Sequence, residues 1–246
     1  MNKRIAIVAA LERELRPLIQ GWPATRYQRQ DHVFTFYERE YAMVVCGGIG
    51  AESARRAAEG AIVHYSPELI ISAGIAGALV PELHVGDTIF PATVIDAQDG
   101  SRVETVIPDA PLGHTAVGRT ILVSYPEIAS SAQKRRLAKS YGAHAVDMEA
   151  VAVARAAQAH NLPFLALKAI SDELDFELPE MSRFIRSGEF DTARFLLYLA
   201  PRPLLWPRVV QLARNTRIAS ENLCAWLRES VLTNTIVPAS ISRQKP

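Results

Sequence analysis

Three acidic stretches and two glycine-rich ones carry the residue types that could do chemistry in this 246-residue chain. Asp172 follows Ser171 at the end of an apolar run, residues 164–170, interrupted only by Lys168. Asp147, Met148 and Glu149 open an Ala- and Val-rich stretch, and Glu12 and Glu14 follow the apolar run 5–10. In open α/β sheets ligands gather at the carboxyl ends of strands, where a carboxylate is partly desolvated and holds its proton more tightly. Asp172 is therefore placed for acid–base work. The same residues have plainer readings: Ser171 or Asp172 can cap the next turn, Asp147 can be an N-cap, Glu149 can complement a helix dipole, and Glu12 and Glu14 can be solvated. Gly47-Gly48-Ile49-Gly50 and Gly74-Ile75-Ala76-Gly77 each follow an apolar strand. Their N–H groups could converge on an anion or a sugar, or simply form tight turns, and neither stretch matches the dinucleotide or P-loop fingerprint.

The elements that must position these residues read as alternating strands and helices. Residues 5–10 form a buried strand running into a charged helix at 11–19, and 32–37 with 41–46 form a hairpin around Glu38-Arg39-Glu40. A helix follows the first glycine stretch over 51–65, and 69–72 is a strand ending at the second. Residues 88–95 and 120–124 read as strands, 96–118 as loop, and 129–141, with Gln133, Lys134, Arg135 and Arg136, as an exposed helix. Residues 147–160 form a helix capped by Asp147 or a neighbour, and 164–170 a strand. This order predicts an α/β fold, one domain with a mixed, mostly parallel central sheet flanked by helices. Residues 1–182 are its core, and 183–246 are a helical, basic extension that completes or decorates it.

Composition narrows the class. With 49% hydrophobic and 22% charged residues the chain can bury a full core, and no stretch is apolar enough to span a membrane. A net charge of +1 gives no reason to expect nucleic-acid binding. That total hides an acidic body, −5 over 1–182, and a basic tail, +6 over 183–246. Cys46 and Cys224 have neither disulfide-framework nor zinc spacing, which fits a reducing cytoplasm.

Five stretches in register resemble the nucleoside phosphorylase and nucleosidase superfamily, in particular its 5'-methylthioadenosine/S-adenosylhomocysteine nucleosidase branch. They are Ile5-Ala6-Ile7-Val8-Ala9-Ala10-Leu11-Glu12-Arg13-Glu14, the Gly47 stretch, Ser72-Ala73-Gly74-Ile75-Ala76-Gly77-Ala78-Leu79 with Val85-Gly86-Asp87, Val146-Asp147-Met148-Glu149-Ala150, and Lys168-Ala169-Ile170-Ser171-Asp172. The resemblance implies N-glycosidic cleavage of a purine (adenine) nucleoside through an oxocarbenium-like transition state. Asp172 would then protonate purine N7 as general acid, with a raised proton affinity suiting the task. Glu149 would accept from the ribose hydroxyls with Met148 against the sugar, and Glu14 would activate water. Asp147, Ser171, Ile75, Gly74 and Ile128 complete the expected substrate pocket. No metal or redox cofactor is implied, phosphate entering only as a co-substrate if the enzyme is a phosphorylase. A homodimer is also implied.

Hydrolysis is the simpler expectation, because a carboxylate at residue 14 opposes a bound phosphate unless Arg13, Arg16, Arg55 or Arg56 compensates. Three positions depart from the branch: Ile75 stands where Ser is frequent, Asp147 where Glu is frequent, and Ile128 where an aromatic residue commonly stacks on the base. Residues 203–231 carry apolar Leu205, Val209, Leu212, Ala219, Leu223, Trp226 and Leu227 at helical spacing, with Arg214, Arg217 and Arg228 mainly opposite. Such a helix can pack on the domain or a partner subunit, or touch an anionic membrane. The basic tail is similar to that of hopanoid-associated phosphorylases, which implies an alternative: release of adenine from an adenosylated lipid. A non-catalytic nucleoside-binding protein on the same fold is disfavoured by the presence of Glu14, Glu149 and Asp172 together.

Overall fold

Alternation along the central strands decides which helices cover which face of the sheet. A computed structural model describes residues 4–29, 32–107 and 120–232. In chain order its elements are β1 (Ile5–Ala9), α1 (Glu12–Ile19), β2 (Ala24–Arg29), β3 (His32–Arg39), β4 (Ala42–Cys46), α2 (Ala51–Tyr65) and β5 (Leu69–Ala78). Then come β6 (Thr88–Ile89), β7 (Pro91–Asp96), β8 (Arg102–Glu104), β9 (Thr120–Ser124), α3 (Ser131–Tyr141), β10 (Ala145–Asp147), α4 (Ala150–Ala159) and β11 (Phe164–Asp172). The chain closes with β12 (Ile185–Arg186), β13 (Glu189–Phe190), α5 (Thr192–Leu199) and α6 (Trp206–Leu232).

The result is a single α/β domain whose mixed sheet runs parallel at its centre. β1 pairs in parallel with β4 and β5, and β5 pairs in parallel with β11 along most of its length. β10 meets the end of β5 antiparallel, at Gly77 and Ala78, and runs parallel to β9, which runs parallel to β7. Ala6 and Val8 of β1 face the alanines of α2 and α4, while Ile5 and Ile7 face α1 and the distal half of α6. Small Ala54, Ala57, Ala58 and Ala61 on α2 let it approach the sheet and α4 closely.

Several expectations change in detail. Residues 74–77 are strand, not loop: β5 runs unbroken through both glycines, because β11 pairs with it as far as Gly77. Asp147 ends a short strand, β10, and its carboxylate accepts from Ala150 N–H at 2.8 Å at the mouth of α4. β2 pairs with β3 as an extra edge strand. The loop expected over 96–118 carries β8, and its residues 108–118 lie outside the described ones. Helix α3 is not wholly exposed: Lys134 is 1% exposed.

The apolar stripe of the C-terminal helix splits in two. Ala219, Leu223, Trp226 and Leu227 are buried against α1 and the sheet, with Trp226 packed on Phe90 at 4.6 Å between ring centroids. Leu205 and Val209 instead pack on a small cluster of Phe184, Phe195 and Leu199. The distal half of α6 thus shares the core of the sheet. Leu223→Ala should lower unfolding free energy by about 2–5 kcal/mol, the range for emptying a buried leucine site. Denaturant melts read this directly, and a loss near zero would mean that α6 is dispensable to the core.

Candidate functional site

β1, β4, β5 and β11 run parallel, so their carboxyl ends open on one side of the sheet, and the acidic residues collect there. Lys168 is the polar exception in the apolar part of β11 and is 2% exposed. Its Nζ lies 2.9 Å from Asp147 Oδ2 and donates to Ser72 Oγ at 3.1 Å. Asp147 is otherwise saturated: Ser124 Oγ donates to Oδ1 at 2.6 Å, and Ala150 N–H donates to Oδ2. Aspartate in place of glutamate here therefore forms a short, fully paired link between β10, β11 and α4.

Glu149 sits at the start of α4, where Gly50 N–H donates to its Oε1 at 2.7 Å and Met148 N–H to its Oε2 at 3.2 Å. The first glycine stretch does hold an anion, and that anion is the protein's own. Gly50 adopts φ +94°, a conformation that other residues rarely reach, and this aims its N–H at Glu149. Each carboxylate oxygen keeps a further lone pair, so a diol can still be accepted.

Glu14, on α1, completes the group. A Cβ on Gly74 would stand 3.2 Å from Glu14 Oε2 and 3.6 Å from Lys168 Nζ, so the glycine leaves room for both. Burial, and next the neighbouring Glu149, push Glu14 up to about 8, against the pull of Lys168 and Arg13. Burial, and next Asp147, raise Glu149 to about 7. Burial alone would lower Lys168, but Asp147, Glu149 and Glu14 overcome it and hold the lysine above its ordinary range.

Asp172 ends β11 with both oxygens engaged. Ser171 Oγ donates to Oδ1 at 2.6 Å, and Lys134 Nζ forms a buried ion pair with Oδ2 while also donating to the Glu173 carbonyl at 2.7 Å. A Cβ on Gly77 would stand 2.9 Å from Asp172 Oδ2 and 3.1 Å from Lys134 Cε. Gly77 is therefore a gap in the strand that an ion pair fills, as Gly74 is one that Glu14 and Lys168 fill.

These groups line one cavity of about 520 Å³. It brings together every residue given a catalytic or substrate-binding role from sequence: Glu14, Gly74, Ile75, Ile128, Asp147, Met148, Glu149, Ser171 and Asp172. Sequence reasoning missed Lys134, hidden in a run of polar residues, and gave Lys168 no role, although its place inside an apolar strand was a usable signal. It also missed Phe190, Phe195 and Leu196, which line the cavity from β13 and α5. Ile128 supplies no ring, and the aromatic surface comes from those two phenylalanines instead. Of the four arginines considered, Arg13 lines the cavity, whereas Arg55 pairs with Glu52 and Glu59, and Arg56 with Glu52. No His, Cys, Asp and Glu cluster among the described residues could hold a metal ion.

Glu14 gives a pH signature. Folding raises its proton affinity above that of the unfolded chain, so the folded state binds more protons between about pH 4.5 and 8. The stability it contributes is present at low pH and is lost as pH rises through about 8. Glu14→Gln removes this titration, so its melting temperature should gain on wild type steadily from pH 5 to pH 8.5. A difference that stays flat across that range in calorimetry would contradict the raised proton affinity.

Comparison with known proteins agrees with this architecture. Residues 4–194 match the family model of the phosphorylase superfamily. An aminodeoxyfutalosine nucleosidase from Campylobacter jejuni is 22% identical over 236 residues, covering 81% of this chain and 99% of that one. A 5'-methylthioadenosine/S-adenosylhomocysteine nucleosidase from Staphylococcus aureus is 28% identical over 208 residues, covering 70% and 90%. The apo structure of the Arabidopsis thaliana 5'-methylthioadenosine nucleosidase superposes with a TM-score of 0.71 at 17% identity, covering 97% of this chain and 98% of that chain. The family match spans the glutamate of α1, both glycine stretches and the strand that ends in Asp172: this chain belongs to the phosphorylase superfamily.

Proposed function

We propose that the protein is a purine nucleosidase that cleaves the N-glycosidic bond of an adenine nucleoside by hydrolysis. One observation carries the reading: Glu14, Glu149 and Asp172, from three separate elements, line a single cavity. Each has a task in that reaction. As the bond between C1' and N9 breaks, its electrons go to the purine, and the Asp172 side delivers a proton to N7, so the base leaves neutral. Glu149 accepts from the ribose hydroxyls and fixes the sugar while positive charge grows at C1'. Glu14 takes a proton from water as its oxygen bonds to C1', and a carboxylate held up to about 8 is a far stronger base than a solvated one.

Water is favoured over phosphate as nucleophile because Glu14 serves as a base only when ionised, and in that state it opposes a bound phosphate. The relatives named above act on 5'-methylthioadenosine, S-adenosylhomocysteine or aminodeoxyfutalosine by their names. An adenine nucleoside with an apolar 5' substituent suits the cavity here, since Met181, Ile185, Phe195, Leu196 and Val209 line it. A homodimer is proposed on the resemblance alone. A reducing, cytoplasmic setting suits two cysteines that are both free. The test is a panel of 5'-methylthioadenosine, S-adenosylhomocysteine and adenosine, with and without phosphate. Adenine and free sugar in phosphate-free buffer are expected, and Asp172→Asn should slow release by about 10²-fold or more. Strict phosphate dependence with a sugar 1-phosphate product would overturn hydrolysis.

A second reading, release of adenine from a lipid-linked nucleoside at a membrane surface, rests on one surface. Leu197, Leu204, Trp206 and Val210 are 74%, 90%, 52% and 67% exposed on α5, the turn before α6 and its first turns, beside cavity-lining Leu196 and Val209. Exposed Arg202, Arg208 and Arg214 share that segment. No helix among the described residues is long and apolar enough to cross a membrane, so contact would be peripheral. Flotation with anionic phospholipid vesicles should then capture the protein at low salt and release it as salt rises. Failure to float at low salt removes this reading and leaves the first intact.

A further inference from the structure

The acid of the proposed reaction has a feature that the resemblance does not anticipate. An acid must carry a proton, yet both oxygens of Asp172 accept hydrogen bonds, one from Ser171 Oγ and one from the Lys134 ammonium. The Lys134 ammonium is thus a proton donor in direct contact with that acid. We propose that Lys134 stores the proton that Asp172 passes to the departing purine, so that the acid is the Lys134 and Asp172 pair.

The geometry is built for such a pair. Lys134 and Asp172 are 1% and 6% exposed. The lysine comes from the first turn of α3, which is anchored by the reciprocal cap between Ser130 and Gln133 and by Gln133 Nε2 donating to Tyr125 Oη at 3.1 Å. Gly77 leaves the space that Asp172 Oδ2 and Lys134 Cε occupy. The surroundings of the two buried lysines show why the proton comes from this one and not Lys168. Lys168 faces Asp147, Glu149 and Glu14 and holds its proton firmly. Lys134 is ion-paired with Asp172, its second acceptor being the uncharged Glu173 carbonyl.

A one-to-one ion pair is stable while water can reach the cavity. When a substrate fills the cavity and displaces that water, the charged pair loses hydration, which favours transfer of the proton within the pair. The step balances simply. An N–H bond of Lys134 breaks and an O–H bond forms on Asp172, leaving an amine and a carboxylic acid. The carboxyl O–H then turns to N7 and gives up its proton as the bond between C1' and N9 breaks. After the base and sugar leave, the Lys134 amine takes a proton from solvent. Lys134 is thus a positioning and proton-storing residue that acts through Asp172.

The inference rests on the nucleosidase reading, and leaving-group dependence separates the two. Lys134→Met and Lys134→Arg are compared with wild type on adenosine and on 4-nitrophenyl β-ribofuranoside, whose leaving group departs as a stable anion and needs no proton. Both variants should lose about 10²-fold or more in kcat on adenosine, with KM little changed, and lose far less on the aryl riboside. Arginine preserves the charge and hydrogen bonds but does not surrender its proton, so it carries the test even if the methionine variant folds poorly. Equal losses on both substrates, or adenosine cleavage restored by arginine, would overturn proton storage and leave the nucleosidase reading standing. A wild-type protein that cleaves the aryl riboside yet releases no purine from any nucleoside overturns the nucleosidase reading itself.

Discussion

Two lysine and aspartate pairs buried beside the central strand are the constraint around which the rest of the site is arranged. An unpaired charge in such a place would be penalised by several kcal/mol, so each ammonium must find a carboxylate and further hydrogen bonds. Lys168 finds Asp147 and Ser72, and Lys134 finds Asp172 and the Glu173 carbonyl. Each pair joins separate segments of the chain: β11 to β10 in the first case, α3 to the end of β11 in the second. Loss of one partner would strand the other in an apolar interior, which couples the carboxylates to the fold itself. Removal of both partners would be far less damaging to stability and would leave the cavity without its charge pattern.

The glycines of β5 follow from this constraint. A strand passing between two charged pairs has no room for side chains at the points of closest approach, and Gly74 and Gly77 stand at those points. A strand glycine ordinarily weakens a sheet. Here β5 keeps its register because β1 and β11 pair with it on either side. The same parallel pairing brings the ends of β1, β5 and β11 to one side, so that Glu14, Asp172 and, through the Gly50 N–H, Glu149 converge. Burial raises the proton affinity of both Glu14 and Glu149, and next in size are Glu149 acting on Glu14 and Asp147 acting on Glu149.

The carboxylates were legible in the sequence because acids at the ends of apolar strands contradict the local pattern, and a contradiction is a signal. Lys134 was not legible. It lies among Gln133, Arg135 and Arg136, where a solvated helix face is the natural reading, and nothing local tells which residue of the first helical turn meets the sheet. Gly74 and Gly77 misread as a loop for a related reason: glycine usually punctuates elements, and the side chains that fill their space, Glu14 and Lys168 at Gly74 and Lys134 and Asp172 at Gly77, are distant in sequence. The helix in the C-terminal stretch was visible from its apolar spacing, but not that one half would join the core and the other line the cavity. That division depends on where α1 and Phe195 lie, which is long-range information.

The cavity therefore has two origins. Its charged residues belong to the sheet and the helix ends, where pairing and pairing register fix them to within a hydrogen-bond length. One apolar wall comes from Met181, Ile185, Phe190, Phe195, Leu196 and Val209, residues outside the central sheet, some of which pack on their own small cluster around Phe184. Substitutions in that wall alter what fits the cavity without removing a partner of either buried pair. The loss of a ring at Ile128 alongside the presence of Phe190 and Phe195 fits this separation: apolar contact with a ligand can be supplied from a different segment, whereas the geometry of Glu14, Glu149 and Asp172 cannot. In the proposed reaction, bond cleavage and substrate choice would thus fall to parts of the chain with different tolerances to change, one set by paired charges and the other by shape.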